Sequence, residues 1–230
     1  STNQALLQRP WPPEPAEPCA LVALHQTAGR GRRGRVWLSG PMHSLAVSVA
    51  TEWSLPQDAS RLEGLSVRTG VCLAERLSER VPDLSLKWPN DLQRGGRKVA
   101  GLLLESRLQA DRVRVVAGLG VNLLADPSVQ ASVDQPVGAL FDDADALPSR
   151  ESLLATIIGA MLGAFAESQR PAERPLPARW ARFDALRGAE VAVSFDGHTL
   201  HTGEVLGVDH DGALRLMEAG GERRITSGEV

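Results

Sequence analysis

The stretch QTAGRGRRGRVW at residues 26–37 follows directly on the short apolar run 20–25, and the reading of the surrounding fold turns on it. Gly29, Gly31 and Gly34 permit backbone conformations that a side chain forbids. Arg30, Arg32, Arg33 and Arg35 supply fixed positive charge and forked donors suited to carboxylate and phosphate. By itself the stretch fits two readings. One is a solvated basic loop or nucleic-acid tether, and the other is a loop at a strand end that closes on a small anion.

Working outward, the chain opens with S-x-x-Q, the spacing of a capping box, which predicts a short helix over 1–8. The proline-rich stretch 10–18 cannot continue it. The runs 20–25 and 44–51, rich in Val, Leu and Ala, read as strands on either side of the arginine loop. Over 57–80, Leu62, Leu65, Val67, Val71, Leu73, Ala74 and Leu77 recur at helical spacing, predicting one long amphipathic helix. A strand over 84–88 is stopped by Pro89, so Asn90 and Asp91 sit at a strand end, where side chains can face a pocket. The runs 98–108 and 112–121 form a strand pair, and 124–148 is a long loop with at most a helical turn. A second amphipathic helix is expected over 151–169, then a break over 171–177 and a short helical piece around Trp180.

After Arg187 the texture changes. Short strands over 191–195, 199–208, 213–218 and 222–226 are separated by Asp196-Gly197, Asp211-Gly212 and Gly220-Gly221, all hairpin signals, and together suggest a small barrel. The chain therefore divides into a unit of 1–186 and a smaller one of 187–230.

Composition narrows the function. At 230 residues the chain can hold one sizeable core and a small module, and 43% apolar with 23% charged residues is ordinary for a soluble protein. A net charge of −3 argues against general affinity for nucleic acid and makes the arginine loop a local exception. Cys19 and Cys72 have neither metal-like nor redox-like spacing, which fits a reducing, cytoplasmic setting. No apolar run approaches the roughly 20 residues that span a bilayer, so no membrane association is expected. His25 has no carboxylate or second histidine at useful spacing.

Three further motifs follow the arginine loop: KWPND at 87–91, RKVAGLLLE at 97–105 and GLGVN at 118–122, each at a strand end or adjoining loop. Each is weak alone. In this order, with STNQ at 1–4 and the strand-rich tail, they resemble the biotin protein ligases over nearly the whole chain. The resemblance implies an α+β catalytic domain related to lipoate ligases and class II aminoacyl-tRNA synthetases, a mixed sheet packed by helices, and a small SH3-like C-terminal domain. It implies two steps: biotin and MgATP give biotinyl-5′-AMP and pyrophosphate, then the acyl group passes to one lysine of the biotin carboxyl carrier protein of acetyl-CoA carboxylase. Many members dimerise through a sheet edge, so a homodimer is an expectation. Without a helix-turn-helix segment, operator binding is not expected.

By the same resemblance, Ser1, Thr2, Asn3 and Gln26 hold the ureido head of biotin, and Gly29, Arg30, Gly31 and Arg32 close over biotin and its adenylate. Lys98 bridges the biotin carboxylate and the α-phosphate, a task suited to a compact point charge. Gly101 and Gly118 leave room beside the ligand. Arg33 and Arg35 lie near the phosphates, and Trp37, Asn90, Asp91 and Asn122 serve ATP and the Mg2+ it carries, no separate metal site being assigned. Trp37 and Trp88 also suit a purely structural role, closing the core beside a loop. Where some members set an aromatic residue against adenine, this chain has Val137. A lipoate-protein ligase is the nearest enzymatic alternative, and a nucleic-acid module using the Arg/Gly loop is the alternative from another class.

Overall fold

Six strands form one sheet in the order β1-β2-β6-β5-β4-β3: β1 (Cys19–Ala23), β2 (Ser44–Ser54), β3 (Leu84–Lys87), β4 (Asp91–Arg94), β5 (Arg97–Gln109) and β6 (Arg112–Asn122). This computed structural model describes the chain except for residues 13, 15, 16, 41, 42, 56, 57, 134, 135 and 169–173. Gln57, Gln169 and Pro171, at the edges of expected elements, and Pro13, Pro15 and Ala16 of the proline-rich stretch lie outside the described residues. Every strand pairing is antiparallel. Parallel partners enter as single bridges, Asp184 on Leu86 and Val137 on Lys98, and in that sense the sheet is mixed.

Period-two alternation makes the sheet two-faced. Leu45, Val47 and Val49 of β2 and Val113, Val115, Ala117, Leu119 and Val121 of β6 enter the main core. Above it pack α2 (Leu65–Leu77) and α4 (Arg150–Glu167), while the short α3 (Pro127–Gln130) lies in the connection from β6 to α4. Ala50 and Val116 point the other way and meet Leu6 of α1 (Thr2–Leu7). Ser48 and Gly118 share that second face, which carries the polar chemistry described below.

The structure departs from the sequence reading at three places. The expected long helix is two pieces, a 3₁₀ turn (Ala59–Leu62) and α2, parted by Gly64 at φ 62°. A Cβ at Gly64 would stand 2.4 Å from the Asp211 carbonyl oxygen, so a tight approach of the C-terminal unit breaks the helix. The capping box does not form: the Ser1 side chain accepts no N–H of the first turn, and the Thr2 N–H donates to Gln26 Oε1 at 2.8 Å. Strand β4, with one buried apolar residue in Leu92, was too short and too polar for periodicity to mark.

The C-terminal unit is a meander, β10-β9-β8-β7, of β7 (Glu190–Phe195), β8 (His198–Val208), β9 (Leu214–Glu218) and β10 (Gly221–Ile225). Glu229 returns to pair with Ser194 of β7 through hydrogen bonds of 2.8 and 2.9 Å, bringing the ends of the sheet together. Trp88 takes the structural role, its indole N–H donating to the Gly212 carbonyl at 3.0 Å. Val193, Val205, Leu214 and Ile225 join the same core as α2 and α4.

Candidate active site

Lys98 owes its direction to a bulge. Ala100 and Leu102 on β5 point into the core, and unbroken alternation would send Lys98 after them. The register slips between β4 and β5: Gln93 pairs with Lys98 and Leu92 with Ala100, so Val99 and Ala100 together oppose one residue and both enter the core. Lys98 thereby emerges on the polar face, where its Nζ lies 2.8 Å from Asp91 Oδ1. Asp91 Oδ1 is buried and accepts no hydrogen bond, so this contact is an ion pair out of hydrogen-bond alignment, with a lone pair to spare.

Asn90 lies in the turn between β3 and β4. Its Nδ2 donates to the Leu102 carbonyl at 2.7 Å and its Oδ1 accepts from Arg32 Nη1 at 3.3 Å. Arg32 donates also to the Gly228 carbonyl, again at 3.3 Å. Burial lowers its pKa, with Arg33 and Arg35 pushing the same way against Glu229 and Asp91. A half-buried guanidinium donating to neutral acceptors, beside two more arginines, stands to gain from an anion.

The other arginines of the loop are paired with acids. Arg30 reaches Glu105 at 3.4 Å, Arg35 contacts Glu229, and Arg33 lies over the Phe195 ring at 4.4 Å with Asp196 at 3.7 Å. Arg33, at φ 52°, turns out to the C-terminal unit and does not line the cavity; nor does Gly29, whose carbonyl accepts from the Trp37 N–H. The loop is a compact hairpin, closed by Arg30 bridged to Val36.

At the far end, Gln26 Oε1 also accepts from the Thr2 hydroxyl at 3.3 Å. Ser48 Oγ lies 2.7 Å from Thr2 Oγ1 and donates to Asn3 Oδ1 at 2.6 Å. Asn3 occupies the space that Gly118 leaves: a Cβ there would fall 2.1 Å from Asn3 Oδ1. The Trp37 ring lies against Gly101 and Gly120, with Lys98 Nζ 5.8 Å from its centroid. Gly118→Ala is expected to push Asn3 out of this network and cost about 1–3 kcal/mol. Urea unfolding with an unchanged m-value measures it.

A cavity of ≈ 320 Å³ joins these groups, with Ser1, Thr2, Asn3 and Gln26 at its polar end and Arg30, Gly31, Arg32, Arg35, Asn90, Asp91 and Lys98 further along. Gly101, Gly118, Trp37 and Asn122 line it as well, Asn122 Nδ2 donating to the Gly138 carbonyl at 3.3 Å. Val129, Val133 and Val137 form an aliphatic patch on the wall. Val137 is held there because Lys98 N donates to the Pro136 carbonyl and Gly138 N to the Lys98 carbonyl. Sequence reasoning missed Gly120, legible from its two-residue spacing to Gly118, and Glu229, for which the sequence carries no local signal. Among the described residues no cluster of three or more His, Cys, Asp or Glu could hold a metal ion by itself, and no helix is long and apolar enough to cross a membrane.

A polar clamp at one end, cations in the middle and an apolar wall beyond define a ligase-type site for joining a small acid to a nucleotide. The chain belongs to the biotin/lipoate A/B protein ligase family, whose model matches residues 1–122, and its residues 188–230 match the biotin protein ligase C-terminal domain. It is 32% identical over 232 residues to the bifunctional ligase/repressor BirA of Escherichia coli, an alignment covering 100% of this chain and 70% of that one. Identity to the biotin–[acetyl-CoA-carboxylase] ligase of Mycobacterium tuberculosis is 30% over 235 residues, covering 100% and 85%. The solved structure of the Aquifex aeolicus biotin protein ligase in complex with biotin and ATP superposes with a TM-score of 0.79 at 26% identity, covering 100% of this chain and 93% of that one.

Proposed function

We propose that this chain activates biotin with ATP to biotinyl-5′-AMP and transfers the biotinyl group to a lysine of a carboxylase's carrier domain. In the first step a biotin carboxylate oxygen attacks the α-phosphorus and pyrophosphate leaves. In the second, the carrier lysine amine attacks the acyl carbon and AMP leaves. The observation that carries this reading is the bulge that sets Lys98 in one cavity with Arg32 and the polar clamp, placing cations between the two ends. Two anions must meet for the first step, and preorganised cations offset their repulsion while stabilising charge growing on the phosphoryl oxygens.

In this reading Ser1, Thr2, Asn3 and Gln26 orient the ureido ring. Lys98 bridges the carboxylate and α-phosphate, and Arg32 and Arg35 face the phosphates. Arg30 and Gly31 cover the adenylate, with Trp37 closing the slot over Gly101 and Gly120. Adenine rests on Val129, Val133 and Val137 in place of an aromatic face, close to Asn122. Magnesium arrives with ATP: Asp91, with its free buried lone pair, is the group that would hold it, in the manner of sites built from one carboxylate and substrate phosphates. We set the boundary between the catalytic and C-terminal units at 186/187, between the two sheets.

Mixing the protein with biotin, MgATP and a carrier domain is expected to add one biotinyl group to one carrier lysine, read by mass spectrometry. Lipoate offered instead is expected to leave the carrier unmodified, and labelling by lipoate alone would sink the reading. Because Arg30 and Arg35 are themselves well exposed in these pairs, opening the loop costs little. Trypsin is therefore expected to cut at Arg33 and Arg35 in the free enzyme, with biotinyl-AMP slowing that cleavage. Equal cleavage with and without the ligand would show that the loop is no lid.

A further inference from the structure

We infer that Glu105 is a positioning residue for the ligation reaction: its carboxylate joins the N-terminal biotin clamp to the arginine lid, so that filling the clamp and closing the lid are one event. The inference rests on the site reading above.

Glu105 lies on β5 two residues beyond Leu103 and four beyond Gly101, so alternation brings it to the ligand face. Its two oxygens serve different segments. Oε2 accepts from Asn3 Nδ2 at 3.0 Å, and Oε1 is 3.4 Å from Arg30 Nη2. The second proton of the Asn3 amide goes to the Leu103 carbonyl at 3.0 Å, while its oxygen accepts from Ser48. Asn3 is thus fixed by three partners, and the remaining oxygen of Glu105 lies in one place, set for Arg30. The Glu105 side chain is 19% exposed and that of Arg30 48%, so the pair adds little to stability. Its effect is on where the lid rests. Arg33 and Arg35 tie the same hairpin to the C-terminal unit, through Asp196 and Glu229, while Glu105 on β5 and Asn90, which accepts from Arg32, tie it to the catalytic unit.

A ligand that orders Ser1, Thr2 and Asn3 thereby steadies Glu105 and biases Arg30 toward closure, and a closed lid returns the favour by the reciprocity of linked equilibria. Glu105→Gln keeps the shape and an acceptor for Asn3 but removes the charge that draws Arg30. Glu105→Ala removes both.

The test measures dissociation of pre-formed biotinyl-AMP by stopped-flow Trp fluorescence, with biotin KM, kcat and the thermal midpoint for each variant. Glu105→Gln is expected to release biotinyl-AMP about tenfold faster and, by the same reciprocity, to raise biotin KM, with the thermal midpoint unchanged. Glu105→Ala is expected to show the faster release together with a larger rise in biotin KM, because Asn3 is loosened too. The combined Arg30→Gln and Glu105→Gln variant is expected to release no faster than Arg30→Gln alone. Release by Glu105→Gln at the wild-type rate, or changes that track a lowered thermal midpoint, overturns the inference. Its failure is separable from that of the functional reading, which falls only if the wild-type chain makes no biotinyl-AMP.

Discussion

Lys98→Ala is expected to abolish most adenylate formation, lowering the rate of pyrophosphate release from biotin and MgATP by about 10²–10³-fold, while biotin binding is weakened but measurable. The reasoning is geometric. Lys98 is the compact cation on the ligand face of β5, paired with Asp91 at 2.8 Å and only 17% exposed in its side chain. Its charge acts at the moment two anions are brought together, so the loss falls on the chemical step more than on biotin affinity. Removing it also leaves the Asp91 carboxylate without its partner, which adds to repulsion against the incoming phosphates. Lys98→Arg keeps the charge but spreads it over a fork too wide to stand between a carboxylate and a phosphate, and should recover only a minor part of the rate. Pyrophosphate release is read by a coupled assay and biotin affinity by calorimetry. A Lys98→Ala enzyme that releases pyrophosphate at the wild-type rate would refute the role.

Most of the fold was legible because local signals agreed with tertiary ones. The four C-terminal strands fall within a residue or two of their expected limits, since Asp196-Gly197, Asp211-Gly212 and Gly220-Gly221 fix each turn. Strands β2 and β6 were long apolar runs whose alternation survives in the sheet, and β5 keeps it beyond the bulge at Val99. What failed was set by distant partners. Nothing between residues 57 and 80 announces that Gly64 will meet the Asp211 turn, so the helix reads as continuous. Ser1 and Gln4 have capping-box spacing, yet the Ser1 side chain caps nothing, and Gln26, from the loop after β1, takes the first helical N–H.

The site shows the same division. Lys98, Arg32, Asn90, Asp91 and the N-terminal segment were found by motif, and the structure gathers them in one cavity. Their directions were not legible, because the bulge at Val99 that turns Lys98 over depends on the pairing register of a strand too polar to be noticed. Between Gln26 and Trp37 the sequence carries four arginines and no acid. The structure surrounds this loop with Glu105, Asp196 and Glu229, acids at separations no local pattern connects.

Arg179→Met is expected to destabilise the protein by about 3–5 kcal/mol at neutral pH, the largest stability loss of any single substitution considered above. Arg179 begins the connection to the C-terminal unit, on α5 (Leu176–Trp180), and is almost fully buried. It grips Glu75 of α2 through two nitrogens at 3.1 and 2.6 Å and Glu167 of α4 through the third at 2.5 Å, and it reaches Cys72 Sγ at 3.3 Å. Burial, aided by Glu167, pushes the Cys72 thiol up to about 11, so it stays neutral and the two carboxylates carry the charge. Burial alone would raise the pKa of Glu75, but hydrogen bonds and charge from Arg179 outweigh it and hold the carboxyl below its ordinary value. A folded pKa below the unfolded one means this contribution is complete above the unfolded value of about 4.3 and is lost as pH falls through the folded value. Wild type should therefore weaken only in acid. In Arg179→Met the strongest cation on Glu75 is gone and only the looser pair with Arg182 at 3.8 Å is kept, so burial raises the Glu75 pKa and the sign reverses: the variant gains stability as pH drops from 7 toward 5. Arg179→Lys, one donor group where three nitrogens were used, should recover less than half of the loss. Urea unfolding of the three proteins at pH 7 and pH 5 reads both effects, and a Met variant within about 1 kcal/mol of wild type at pH 7 would show that the cluster does not hold the helices together.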